Sequence, residues 1–318
     1  DVKVLTNSGS ANAIEIICSD MEIIDSVVTC VAEPTTLTGT VCTAIFIEGT
    51  YGSDREAAAA ADPATYSHLK ISGNNTKITA RASAIVGNGT LHGTDIDILG
   101  GTIESTNSIA IYHPQVGELT ISGNTQIKGC SGLEMRAGSL VIEGDGVSVT
   151  ATDPFMESPL SDGFRFAGVA VGVSRYFAEE GTGVSVSIEG GTFTATNEEG
   201  YAFYEKVDEE HAPAVTPDNQ DNLSVSIAGG TFEGKVESTN VTGFISGGTF
   251  TEPVPAAYLE EGFTLTVGDG TYGVEEADEL ATVTRGEAVY NFATLAEALT
   301  FAEDGDMVAL LKPATLSE

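Results

Sequence analysis

The chain has 318 residues, of which 47 are acidic and 13 basic, a net charge of −34. That balance excludes a nucleic-acid surface and an anionic-membrane surface, both of which need clustered Lys and Arg, and no apolar run reaches the ~18 residues that span a bilayer. Hydrophobic residues at 41 % exclude disorder, and 37 glycines exceed the usual ~7 % and point to a turn-rich chain.

The chain opens at Asp1 in a strand-like pattern without a leader and closes without a sorting or lipidation signal, so a fragment of a longer protein is expected. A five-residue phrase of apolar, x, apolar, x, Gly then recurs. It reads Ile45-Phe-Ile-Glu-Gly49, Leu69-Lys-Ile-Ser-Gly73, Ile96-Asp-Ile-Leu-Gly100, Leu119-Thr-Ile-Ser-Gly123 and Leu140-Val-Ile-Glu-Gly144. It continues as Phe164-Arg-Phe-Ala-Gly168, Val186-Ser-Ile-Glu-Gly190 and Val225-Ser-Ile-Ala-Gly229, with a degraded copy at Ile245-Ser-Gly247. Three of the later copies run on into Thr192-Phe193, Thr231-Phe232 and Thr249-Phe250. The glycine intervals are 24, 27, 23, 21, 24, 22, 39 and 18.

Period-two alternation makes a strand with one buried face, and the glycine turns the chain where a side chain would clash. A unit of about 23 residues is too short to be a domain and buries its apolar face only by stacking on its neighbours. No helix-period segment separates the phrases, and Asn74, Asn75, Asn107 and Asn124 suit corners. The expected fold is all-β: a right-handed, single-stranded parallel β-helix of about eight to ten coils over residues 1–252. Two excursions are expected, one from Tyr51 to Tyr66 with a helical turn at Ala57 to Ala61, and an acidic loop from Glu198 to Asn222.

Beyond the repeats, residues 253–275 read as a closing hairpin, with strands Gly262 to Val267 and Asp269 to Tyr272. Residues 276–318 read as a linker followed by a cap helix and strand. Thr294-Leu-Ala-Glu297 is a capping box. Leu295, Ala298, Leu299 and Ala302 form an apolar helix face, Asp304-Gly305 stops it, and Met307 to Leu311 is a strand. This segment is read as the possible start of a further module.

The phrases Ile245-Ser-Gly-Gly-Thr-Phe250, Asp269-Gly-Thr-Tyr272 and Thr294-Leu-Ala-Glu-Ala through Asp304-Gly-Asp resemble pectate-lyase-like β-helix modules of large gut-bacterial surface proteins. The resemblance runs from about residue 40 onward. It implies a bacterial protein that is secreted or associated with the cell wall, with an adhesin-like role. It implies no particular ligand; a glycan or a host surface glycoprotein is the expected partner.

Chemistry is read from the register of the phrase. Positions four and two before the marker glycine face in, so positions five and three before it face out. Down three coils the outer column is His68 and Lys70, Asp95 and Asp97, Glu118 and Thr120. Three carboxylates at stacking distance suit calcium, and Lys70 beside them suits a base acting on an acidic sugar. Together they would make a calcium-dependent polysaccharide lyase or hydrolase. The same carboxylates would also keep Lys70 protonated, and an outward ladder on so acidic a chain holds carboxylates by chance. The main expectation is therefore a non-enzymatic adhesin or stalk module without cofactor, with calcium at Asp95, Asp97 and Glu118 and catalysis through Lys70 as the alternative. A purely structural spacer is a third reading.

Tyr176, Tyr201 and Tyr204, with Phe177 and Phe203, offer ring faces for sugars or a protein partner. His68, His92 and His113 lie about one coil apart, but their register drifts, and solvent-facing or corner positions are expected. Cys18 and Cys42 are 24 apart and could stack, as two buried thiols or as a disulfide, while Cys30 and Cys130 have no evident partner. The charge predicts a self-repelling monomer.

Overall fold

The computed structural model describes residues 2–6, 10–32, 41–49, 63–88, 93–157, 164–175, 183–207, 222–268, 270–277, 281–286, 288–292 and 294–310. The protein is built mostly of strands, with one α-helix among the described residues.

The strands fall into three parallel ladders. The first contains Asp20–Ile24, Ser67–Ser72, the leading halves of Thr94–Ser105 and Glu118–Gly129, then Gly138–Ile142, Val184–Ile188 and Leu223–Ile227. The second begins at Val2–Thr6, Val27–Ala32 and Lys77–Ala80. It continues through the trailing halves of the two long strands to Ser148–Ala151, Thr192–Ala195, Thr231–Glu233 and Thr249–Phe250. The third is an eight-stranded sheet: Ser10–Ile17, Val41–Glu48, Ile85–Gly87, Ile109–His113, Ser131–Met135, Val169–Val173, Tyr201–Glu205 and Lys235–Ser238. From Asp20 on, the chain visits first, second and third ladder in strict rotation. Each circuit thus lays three strands on the three of the circuit before.

The alternation of the sequence decides which face is buried. Along Ser67–Ser72, Ser67, Leu69 and Ile71 are buried while His68 and Lys70 are exposed. One continuous core runs through the circuits, from Ile16, Ile23 and Val28 to Ile245 and Phe250. In the second ladder the register Val149, Phe193, Phe232, Phe250 places like on like. The three phenylalanine rings stack at centroid distances of 4.9 Å each. Their motif, Gly-Gly-Thr-Phe, has a local cause. The second glycine of each, Gly191, Gly230 and Gly248, has φ of 100°, 101° and 102°, a left-handed conformation that other residues rarely adopt.

Two copies of the phrase do not belong to the first ladder. Ile45-Phe-Ile lies in the third, where Ile45 pairs with Ile85. Phe164 to Gly168 lies outside all three ladders: Phe166–Ala167 pairs antiparallel with Met156–Glu157, and Leu140 pairs directly with Val186. Both copies satisfy a local alternation that any half-buried strand shares. The expected acidic loop at 198–222 also needs correction. Its first part is the regular third-ladder strand Tyr201–Glu205, and residues 208–221 are outside the described residues, as are Ala57 to Ala61.

At the far end, Phe263–Gly268 and Thr271–Glu276 form an antiparallel hairpin. Its second strand pairs antiparallel with Thr249–Phe250. The stretch read as a linker contains two strands, Ala281–Arg285 and Ala288–Phe292. They join Met307–Leu310 in a three-stranded antiparallel sheet, whose own small core is Ala281, Val283 and Ala298. Valines and threonines alternate there over only a few residues, too short a run to stand out. The helix Leu295–Phe301 starts at the capping box, with both Thr294 and Glu297 bonds made. Leu299 points away from that core and is 58 % exposed, because the single sheet covers only one narrow stripe of the helix.

The cysteine expectation is corrected as well. The disulfide joins Cys30 and Cys42, both fully buried, across 12 residues. Cys18 is exposed, and its thiol donates to the Gly49 carbonyl at 3.3 Å. The register pairs Cys42 with Ala11 and brings Cys18 beside Gly49, so a spacing of 24 does not put Cys18 over Cys42.

Candidate functional site: the outer face of the first ladder

Strict parallel register makes the outward positions of the first ladder into columns at the ~4.8 Å strand spacing. One column reads Asp20, His68, Asp95; the register then carries it through Glu118 to Ser139, Ser185 and Ser224. The other reads Glu22, Lys70, Asp97, Thr120. The expected outer column is therefore present, extended by Asp20 and Glu22 at one end and by serines at the other.

The side chains engage one another along the columns. Lys70 Nζ lies 3.0 Å from Glu22 Oε1, so its nearest counter-charge is on the preceding circuit rather than at Asp95 or Asp97. Asp95 Oδ2 faces His68 Nδ1 at 3.5 Å. Asp95 Oδ1 accepts the Glu118 backbone N–H at 3.0 Å. Glu118 Oε1 accepts from Thr120 at 3.1 Å, and Ser224 donates to Ser185 at 3.1 Å. The Lys70–Glu22 pair is about half exposed on both sides, a setting in which a pair contributes ~0–1 kcal/mol. Among the described residues no group of three His, Cys, Asp or Glu side chains comes together to hold a metal ion. Asp95, Asp97 and Glu118 share a face and span two adjacent circuits, Asp95 and Asp97 on one strand and Glu118 on the next.

Two hollows lie on this face and meet at Asp95. One, of about 390 Å³, is lined by Asp20, Glu22, His68, Lys70, Asp95 and Asp97 among others. The second, of about 480 Å³, adds Tyr66, Glu118, Ser139, Ser185 and Ser224. Tyr66, which the sequence reading passed over, is half buried, and burial and the charge of Asp95 raise its phenol above the ordinary value. The strip thus presents acceptors at one end, hydroxyls at the other and one aromatic edge between them, on backbone held by ladder bonds on both sides.

The other expected positions fall elsewhere. Tyr176, Phe177 and His92 are outside the described residues. Tyr204 is buried, 5 % exposed, with Phe155 and Phe166 each 4.9 Å away, ring to ring. It is packed, not presented, because residues 152–157 and 164–168 fold over the third ladder. Tyr201 is partly exposed and meets Phe155 at 4.6 Å, and Lys235 Nζ sits over its ring at 5.6 Å. His113 is not solvent-facing: it is 1 % exposed, on a different ladder from His68, with Nε2 3.4 Å from Thr94 Oγ1. Burial holds its imidazole down to about 4.

The sequence reading also passed over two buried carboxylates. Glu134 Oε2 accepts the backbone N–H groups of Arg165 at 2.7 Å and Phe166 at 3.1 Å, and burial pushes the carboxyl up to about 7 despite Arg136 nearby. Glu205 Oε2 accepts from Ser238 and from the Asn240 N–H, with its carboxyl likewise raised by burial. Both occupy positions at which alternation alone suggests nothing special. No helix among the described residues is long and apolar enough to cross a membrane. Compared with known proteins, the chain matches no family model, no curated protein and no solved structure.

Proposed function

We propose that the three rotating ladders are those of a right-handed parallel β-helix, and that the chain is a non-enzymatic binding module, bacterial and either secreted or displayed on the cell surface. Its ligand is a glycan or a host glycoprotein glycan lying along the outer face of the first ladder. Right-handed crossover between parallel strands is the rule in ~98 % of cases, which supports the hand. The buried Cys30–Cys42 disulfide supports an oxidising compartment, where such bridges persist. The observation that carries the binding reading is the pair of hollows sharing Asp95. They supply carboxylate acceptors, serine hydroxyls and a tyrosine edge at fixed spacing, the polar groups that pair with sugar hydroxyls.

The test is a glycan and mucin array probed with the purified chain in calcium and in EDTA, with the supernatant assayed for released sugar. Expected are retention of a neutral or amino-sugar glycan without product, and at least tenfold weaker retention by Asp95→Asn with Glu118→Gln. That is the loss of a hydrogen bond to a charged group, ~1.5–3 kcal/mol. Unsaturated product that disappears in Lys70→Ala would overturn the reading in favour of a polysaccharide lyase. Silence in both assays would favour a spacer.

A further inference from the structure

We propose that the limbs 152–157 and 164–168 form a strap over the third ladder whose hold depends on the protonation of Glu134, firm in acid and loosened above neutral pH. The strap is docked at a notch. In the outward column Tyr112, Glu134, Gly172, Tyr204, the glycine leaves a gap. A Cβ on Gly172 would stand 3.2 Å from the Phe166 ring and 3.6 Å from Glu134 Cγ. Phe166 fills that gap, and its ring meets Tyr204 edge to face at 4.9 Å.

Beside backbone bonds from Thr152 to the Gly129 carbonyl and from Asp153 and Gly168 to the Cys130 carbonyl, side-chain contacts hold the two limbs. Glu134 Oε2 takes the N–H groups of Arg165 and Phe166. Ser131 donates to the Phe166 carbonyl at 2.6 Å and accepts from the Val169 N–H at 3.2 Å. On the other limb Glu157 pairs with Lys206 at 2.7 Å. Of these, the Glu134 contact is the one that buries an ionisable carboxyl. The side chain is 1 % exposed, and Oε1 has no hydrogen-bond partner.

The charged and titratable groups facing Glu134 can be named element by element. Arg136, just past the end of the same strand, approaches Oε1 to 4.0 Å. Tyr112, on the preceding circuit, accepts from Arg136 at 3.4 Å. Gly172, on the following circuit, contributes no charge. The strap contributes Arg165, whose charge also favours the carboxylate. Cys130 packs near Tyr112 in the adjoining apolar cluster. The two arginines leave burial as the dominant influence, so the closed strap holds the proton into the neutral range. Lifting the strap would hydrate Glu134 and return it to an ordinary glutamate.

By linkage, the more protonated state is the closed one, and the opening equilibrium rises up to tenfold per pH unit between the open-state and closed-state values. Lifting the strap would also uncover the rings of Tyr201 and Tyr204. The test is amide hydrogen exchange on the whole chain from pH 5 to 8, corrected for intrinsic rates. The amides of Arg165 and Phe166 should open more than tenfold more at pH 8 than at pH 5, up to about seventyfold. Those of Ile109–His113 should not, and Glu134→Gln should abolish the dependence. A flat wild-type profile, or the same rise in Glu134→Gln, would overturn the proposal. Should that variant fail to fold, the ¹³C carboxyl shift of Glu134 in the unaltered protein decides. A midpoint near 7 supports the strap, and a midpoint at the usual glutamate value overturns it.

Discussion

Replacing Phe232 by alanine removes the middle ring of a three-ring stack. Phe193, Phe232 and Phe250 are all fully buried, and adjacent rings are inclined by 25° and 12°. Loss of a buried phenylalanine costs ~3–5 kcal/mol. Phe232 has an aromatic neighbour on each side, whereas Phe193 rests on Val149 and Phe250 is followed by the hairpin. An aromatic pair contributes ~0.5–1.5 kcal/mol beyond its area. Phe232→Ala is therefore expected near the top of the range, ~1 kcal/mol costlier than either Phe193→Ala or Phe250→Ala. Urea unfolding followed by far-ultraviolet circular dichroism measures all three, and the Phe193→Ala/Phe232→Ala double mutant should show a coupling of ~1 kcal/mol. Equal costs for the three, or additivity within ~0.5 kcal/mol, would refute the argument that the stack itself contributes.

Three other outcomes are expected. His113 is buried neutral, so the unfolded chain takes its proton first. Its stability contribution is complete above about 6.5 and falls by ~3 kcal/mol as the pH drops to about 4. Glu134 works in the opposite direction over much of that range, so the effect is read as the difference in pH slope between wild type and His113→Leu. Reducing the Cys30–Cys42 bridge should lower unfolding stability by ~3 kcal/mol, the loop-closure contribution for a loop of about this length, measured in urea with and without dithiothreitol. Gly230→Ala should cost ~1–3 kcal/mol through its φ of 101°. Its Cβ would also stand 3.1 Å from the Phe193 ring, whereas Gly270→Ala, at φ 83°, meets nothing within 4 Å and should cost the backbone strain alone when both are compared by thermal melts.

What the sequence makes legible is what period-two alternation and glycine can encode. Leu69 and Ile71 inward, with His68 and Lys70 outward, follow from the pattern alone, and so does the register of Lys70 with Asp97. The capping box at Thr294 and Glu297 is equally local. The misreadings arise where the same local signal serves different places. Ile45-Phe-Ile and Phe164-Arg-Phe alternate as well as any first-ladder strand, yet one lies on the third ladder and the other in the strap. Only pairing across a circuit separates them, and pairing partners lie at variable distance in sequence. Cys30 and Cys42 meet across the inside of a single circuit, a contact that stacking arithmetic between circuits does not consider. Tyr204 alternates outward as expected but is covered by a segment inserted upstream of its own circuit. Glu134 is a lone outward acid until Gly172 and Phe166 are placed beside it.

The rotation of the chain through three ladders has a mechanical side. The strands run across the stacking direction, so the ladder hydrogen bonds lie along it. A pull between the first and last circuits therefore opens these bonds one circuit at a time and never shears a whole sheet at once. Each circuit contributes only about 5 Å to the stack but pays out about 75 Å of extended chain, for some 23 residues at ~3.3 Å each. Under tension the molecule behaves as a spool: it yields at low force over a long travel, and the Cys30–Cys42 bridge withholds the stretch of chain between its two cysteines from that travel.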